Sequence, residues 1–233
     1  MNINKAMELK AGQYFAELHV KKNIVIHHTV SSTAKSALTW WSSQVERIAT
    51  AYVIDKDGTV YQAFPEMFWA HHLGLKTSDN GRRNRQSIGI ELVNEGLLAG
   101  KPGELHWLGE KGPIYKGQSM ELSWRGGRHW PLYTPEQIAA LHELVVAILG
   151  RHKGIEPTVA PLGVFDAATP DKYGIYFHHN VRTDKTDVSP AFDRDGLLQL
   201  VNPEAYAKEQ SSRAKPGPVE PVGDAPAEGV PGA

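Results

Sequence analysis

AYVIDKDGTVYQAF, residues 51–64, decides the architecture. Two β-rich runs flank Asp55-Lys56-Asp57-Gly58, and a glycine-closed turn between such runs predicts a β-hairpin. Working outward, residues 23–29 (NIVIHHT) form a short β-branched run ending in polar side chains, and residues 87–94 (SIGIELVN) form another. Both are expected as strands. Alanine, serine and tryptophan within 36–48 predict a helix between the first strand and the hairpin. The clearest helix is 135–153. Thr134 stands at the N-cap, Pro135 at the first helical position and Gln137 at the capping-box position, and Ile138, Leu141, Val145, Ile148 and Leu149 form an apolar stripe before Gly154. Residues 97–133, with their glycines and Trp107, Tyr115, Trp124, Trp130 and Tyr133, read as loop. Those rings either stack on a substrate or roof the core, and Trp124 and Trp130 are the two expected to bind substrate. Strands interleaved with helices, plus an internal hairpin, imply an α/β single domain. Its central mixed β-sheet is flanked by helices and is not a doubly wound parallel sheet.

Composition narrows the function. The chain has 233 residues, 41% hydrophobic and 22% charged, a balance that supports one soluble core. With 25 Lys+Arg against 26 Asp+Glu, the net charge of −1 removes the broad attraction that nucleic-acid and membrane-surface binders use. No nucleic acid and no membrane are expected as partners. The absence of cysteine excludes disulfides, Cys-based zinc fingers, iron–sulfur clusters and a thiolate nucleophile. Lys5, Glu8, Lys10 and Glu17 interrupt the first twenty residues, so neither a signal peptide nor a membrane span is read there, and a cytoplasmic location is expected. Residues 211–233 carry Pro216, Pro218, Pro221, Pro226 and Pro231 among glycine and alanine and read as a flexible tail. The expected organisation is an N-terminal extension over 1–22, a domain over 23–210 and that tail.

Standard nucleotide and hydrolase signatures fail. No GxxxxGK[ST] or GxSxG occurs, and His142-Glu143 begins an HExxH pattern that Val146 breaks. Histidine stands out. Six of the eleven fall in three His-His pairs, at 27/28, 71/72 and 178/179, where chance gives about half a pair. On an extended strand, neighbouring side chains point to opposite faces, so each pair offers one ligand and one neighbour. Periodicity does not choose between them. Asp184, Lys185 and Asp187 follow His178 closely, so a returning loop either completes a two-His, one-carboxylate set suited to zinc or is a solvated run of alternating charge.

The stretches IVIHHT, AYVIDKDGTVYQAF, AHHLG at 70–74, SIGIELVN and HHNVRTDKTDVSPAFD at 178–193, in that order, resemble the zinc N-acetylmuramoyl-L-alanine amidases. That group includes phage amidase lysozymes, bacterial muropeptide amidases and animal peptidoglycan recognition proteins. The resemblance runs from about residue 23 to about residue 201. It implies a zinc cleft on one side of the sheet, with ligands His27, His178 (in the His-x-[DNE]-V pattern at 178–181) and Asp187. His28 and His179 are then neighbours of the metal. Glu91 matches a general-base glutamate, and Lys185 matches a lysine facing the reacting carbonyl. His72 matches a cleft histidine with a looser role in substrate contact. Thr50 stands where many phage and animal relatives carry a tyrosine, which favours the glutamate mechanism. The implied function is a monomeric zinc hydrolase of the amide between N-acetylmuramic acid and L-alanine, acting on peptidoglycan or muropeptides. A phage or prophage endolysin released through a holin is the expected role, with a cytoplasmic recycling enzyme or a non-catalytic peptidoglycan-binding module as alternatives.

Overall fold

The computed structural model describes residues 2–214. The first half runs β1 (Ile3–Asn4), β2 (Asn23–His28), α1 (Ala34–Ser42), β3 (Tyr52–Ile54), β4 (Val60–Gln62), α2 (Asn80–Gln86) and β5 (Ser87–Leu92). An insert follows, made of β6 (Leu98–Lys101), β7 (Glu104–Trp107), β8 (Ser119–Trp124) and β9 (Gly127–Pro131). The chain then forms α3 (Pro135–Arg151), α4 (Thr169–Lys172), β10 (Ile175–Phe177), α5 (His178–Val181), α6 (Arg194–Val201) and α7 (Pro203–Arg213).

The central sheet has six strands in the order β1-β4-β3-β5-β2-β10. Only the β3–β4 hairpin is antiparallel; every other pairing is parallel. Gly58 closes the hairpin with φ +81°, a conformation that costs glycine little. The two faces of the sheet bury different clusters. Ile24, Ile26, Ile175 and Phe177 pack with Leu141, Leu144, Val145 and Ile148 of α3, while Val25 and Tyr176 pack with Leu73, Ala160 and Val181. Burial on both faces explains the unbroken apolar run Ile24-Val25-Ile26 in β2. It also sets direction: with a period of two, His27 falls on the Val25 face and His28 on the α3 face.

The structure revises several expected elements. The first helix ends at Ser42, short of residue 48, and starts on Thr33, whose side chain accepts from Ser36 N. Helix α3 begins at Pro135 with the Thr134 cap, but Gln137 does not close a capping box. Its Nε2 donates instead to Ile54 O and Val93 O, tying the helix start to the sheet. Residues 97–133 are not loop: they contain a four-stranded antiparallel sheet in the order β7-β6-β9-β8. These strands are short; β6, β7 and β8 are largely exposed and β9 is mostly buried, so no apolar alternation marked them. The N-terminal extension belongs to the fold. β1 pairs with β4, Phe15 stacks on Trp69, and the buried Lys21 ammonium donates to the carbonyls of Phe68, Arg85 and Ser87. At the other end, α7 takes in Ser211–Arg213, and Arg213 pairs with Asp195. The remainder of the expected tail, from residue 215, lies outside the described residues.

Candidate functional site

Three parallel strands deliver the chemistry at their carboxyl ends. β2 ends on His27 and His28, and β5 brings Glu91 into register opposite His27. β10 hands over to α5, whose first residue is His178. The loop after α5 returns Asp187 to the same point. His27 Nδ1 lies 3.1 Å from His178 Nδ1 and 3.0 Å from Asp187 Oδ2, and His178 Nδ1 lies 3.0 Å from that same oxygen. All three residues are buried.

The donor chemistry fits a divalent cation. His178 Nε2 donates to Leu73 O at 2.7 Å, which turns Nδ1 toward the other two groups. Burial brings His27 down to about 4, so this ring is neutral near pH 7. Burial pushes the Asp187 carboxyl up, but the charges and hydrogen bonds of His178 and His27 outweigh it and hold the group well below the ordinary carboxylate value. Two imidazole nitrogens and one carboxylate oxygen are a donor set that suits zinc. These same three residues form the compact His/Asp/Glu group able to hold a metal among the described residues.

The other members of the two pairs are engaged elsewhere. His28 Nδ1 lies 3.3 Å from Tyr133 Oη, on the α3 face. His179 Nε2 accepts from Gly163 N, and its Nδ1 donates to Asp187 O. Thr50 is buried, with its hydroxyl donating to Tyr52 O. His72 also lines the cleft, beside His27, with its Nδ1 3.0 Å from His27 Nε2.

Glu91 and Lys185 both line the cleft above the three donors, a hollow of about 590 Å³. Glu91 Oε2 is buried without a hydrogen-bond partner. Burial, reinforced by the Asp187 charge, raises this carboxyl well above its ordinary value. A carboxyl with raised proton affinity beside a group able to hold a metal is equipped to exchange a proton.

The aromatic residues of the cleft are not the two expected. Trp130 is fully buried and donates its indole N–H to Leu122 O, because it forms the centre of the small sheet. Trp124 packs edge-on against Trp130 and His179. Neither ring lines the cleft, whose walls carry Trp40, Trp41 and Trp107 instead. Trp40 is 52% exposed and Trp41 6%. The Trp40-Trp41 doublet was a signal available in the sequence, but α1 turns one ring out and one in, which needed the helix's orientation.

A sequence profile for the family described as N-acetylmuramoyl-L-alanine amidase matches residues 19–190. Among solved structures, the chain is similar to the N-acetylmuramyl-L-alanine amidase AmiD from E. coli, in complex with anhydro-N-acetylmuramic acid-L-Ala-D-gamma-Glu-L-Lys. That likeness has TM-score 0.54 and 22% identity, covering 79% of this chain and 59% of AmiD, so the chain spans about three fifths of that structure's length. It is also similar to PlyL, with TM-score 0.52 and 14% identity over 86% of this chain and 97% of PlyL. A third likeness is to AmpDh3 from Pseudomonas aeruginosa in complex with anhydromuramic pentapeptide, with TM-score 0.51, 17% identity and coverage of 87% and 71%. At these identities the likeness is one of fold. No curated protein matches the chain.

Proposed function

The chain belongs to the N-acetylmuramoyl-L-alanine amidase family, and on that premise we propose that it hydrolyses the amide between N-acetylmuramic acid and L-alanine in peptidoglycan, with zinc held by His27, His178 and Asp187. The observation that carries this reading is the convergence of two imidazole nitrogens and a carboxylate oxygen within 3.0–3.1 Å of one another beneath an unpartnered Glu91 carboxyl. An amide combines a weakly electrophilic carbonyl with a poor leaving group, so its hydrolysis needs an activated water, a stabilised oxyanion and a proton for nitrogen. Zinc at these donors supplies Lewis acidity toward water and carbonyl. Glu91 accepts the proton of the attacking water and delivers it to the departing amine, since its raised proton affinity suits both transfers. Lys185, on the same cleft wall, stabilises the charge that develops on the carbonyl oxygen. The exposed faces of Trp40 and Trp107 offer apolar surface for a sugar ring or stem peptide.

The muropeptides held by AmiD and AmpDh3 support the substrate class. The role proposed is wall lysis by a phage or prophage endolysin. Among the described residues no helix is long and apolar enough to cross a membrane. Purified sacculi and soluble muropeptides digested in parallel test the whole reading. New amino termini on L-alanine without new reducing sugars establish an amidase, and their absence from both substrates overturns it in favour of a binding module. Faster release from sacculi supports lysis; faster release from soluble fragments assigns recycling instead. Chelation abolishes the activity and added zinc restores it.

A further inference from the structure

One short segment, His72-Leu73, sits beside both imidazole donors. Leu73 O accepts from His178 Nε2 at 2.7 Å, and His72 Nδ1 lies 3.0 Å from His27 Nε2. The segment itself is clamped by Asn84 of α2, whose buried Oδ1 accepts from both His72 N and Leu73 N. The far nitrogen of His72, Nε2, lies 2.8 Å from Ser87 Oγ, and that hydroxyl lies 2.8 Å from Arg83 O. Glycine at position 89 makes room for this arrangement. A Cβ there would stand 3.2 Å from His72 Nδ1 and 2.6 Å from Thr50 Cγ2.

A neutral imidazole carries one donor and one acceptor nitrogen. Arg83 O can only accept, so the Ser87 hydroxyl donates to it and accepts from His72 Nε2–H. The Nδ1 of His72 is then an acceptor, and His27 must present its proton at Nε2. That leaves His27 Nδ1 with its lone pair directed at His178 and Asp187. In the opposite direction His27 would carry its proton on Nδ1, His72 would take the serine proton, and Arg83 O would lose its donor. Only the first direction keeps the donor to Arg83 O, and it leaves His27 Nδ1, His178 Nδ1 and Asp187 Oδ2 as three converging acceptors that a cation bound among them would satisfy.

We propose that His72 is a positioning residue of the metal centre and not a contact for substrate: it holds His27 in the Nε2–H tautomer, as Leu73 O does for His178, with Ser87 and Asn84 fixing His72 in turn. This inference rests on the zinc reading above. Outer hydrogen-bond partners of this kind typically contribute about 10–100-fold to metal affinity or activity. His72→Leu removes the acceptor, whereas His72→Asn keeps a carbonyl oxygen near the place of Nδ1.

The test is zinc affinity by competition with a chelator, alongside circular dichroism to establish folding and muropeptide kinetics at saturating zinc. His72→Leu is expected to lose about 10–100-fold in zinc affinity with KM near the wild-type value, and His72→Asn to recover most of the affinity. A raised KM with unchanged zinc affinity in His72→Leu makes the residue a substrate contact and overturns the inference while leaving the amidase reading intact. Wild-type protein that takes up no zinc overturns both. If the variants do not fold, ¹⁵N spectra of the zinc-loaded wild type decide: His27 and His72 both protonated on Nε2 support the inference, and His72 protonated on Nδ1 overturns it.

Discussion

The six-stranded and four-stranded sheets both border the cleft, yet they are built on different terms. In the larger, β2 is buried along its whole length and β5 at all but Glu91, because packed elements cover both faces. In the smaller, β8 has no buried residue at all, and one fully buried ring, Trp130, anchors the sheet. The first arrangement fixes side-chain positions within tight limits, since close-packed surroundings resist displacement. Accordingly the proposed donors His27 and His178 and the proposed proton carrier Glu91 stand on or directly after its strands. The second contributes only rim, through Trp107 and Leu108. A catalytic constellation needs the rigid support; a recognition surface tolerates the looser one.

The largest effect that follows from this contrast is at the donors. His27→Ala, His178→Ala and Asp187→Ala each lose zinc and all measurable turnover, read by metal analysis and release of new amino termini. Retained zinc in any one of them breaks the proposed ligand set. Glu91→Gln preserves shape and hydrogen-bonding capacity but accepts no proton, so kcat falls about 10²–10⁴-fold with full zinc content. Zinc loss in that variant would place Glu91 in support of the metal instead.

On the smaller sheet the expected cost is stability, not chemistry. Trp130→Ala removes its central ring and costs about 3–5 kcal/mol, measured by denaturant unfolding. Trp107→Ala removes an aromatic face at the rim, weakening substrate binding by about 0.5–1.5 kcal/mol as a raised KM with kcat retained. Trp124→Ala, outside the cleft, leaves KM near the wild-type value. A larger KM effect from Trp124 than from Trp107 would reverse the assignment of the two rings.

A pH measurement separates the scaffold from the site. Burial raises the Glu66 carboxyl, but hydrogen bonds from Arg151, Tyr52 and His152 outweigh it and bring the group to about 2, against an ordinary 4.5. Because the folded value is the lower one, the stabilisation is complete above about 4.5 and fades as pH falls toward 2. Glu66→Gln is expected to cost about 3 kcal/mol at pH 7. The gap from wild type narrows in acid, as unfolding at pH 7 and pH 3 would show.

How much was legible follows the same division. The buried strands at 23–29 and 87–94, the hairpin at 51–64 and the helix from Pro135 were readable because each signal is local: β-branched runs, a glycine turn, an N-cap and an apolar stripe. The four-stranded insert was not, since its strands alternate in neither polarity nor burial. Gln137 shows the limit within one residue. Its spacing from Thr134 suits a capping box, but two sheet carbonyls, Ile54 O and Val93 O, claim its amide.

By itself the sequence determined which residue types were present to bind a metal and move a proton, and the order of motifs that marks the family. It also determined that residues 23–29 and 87–94 form strands, through their short runs of β-branched and apolar side chains. Tertiary structure alone decided the choices that depend on direction. It turned His27 toward the donors and His28 toward Tyr133, and Trp40 into the cleft while Trp130 went into the core. It also placed His72 beside the donor His27. The physical reason is that composition and spacing fix which face a side chain takes along its own strand or helix. What that face meets is set by packing between segments far apart in the chain, as where residues 27, 72, 91, 178 and 187 come together.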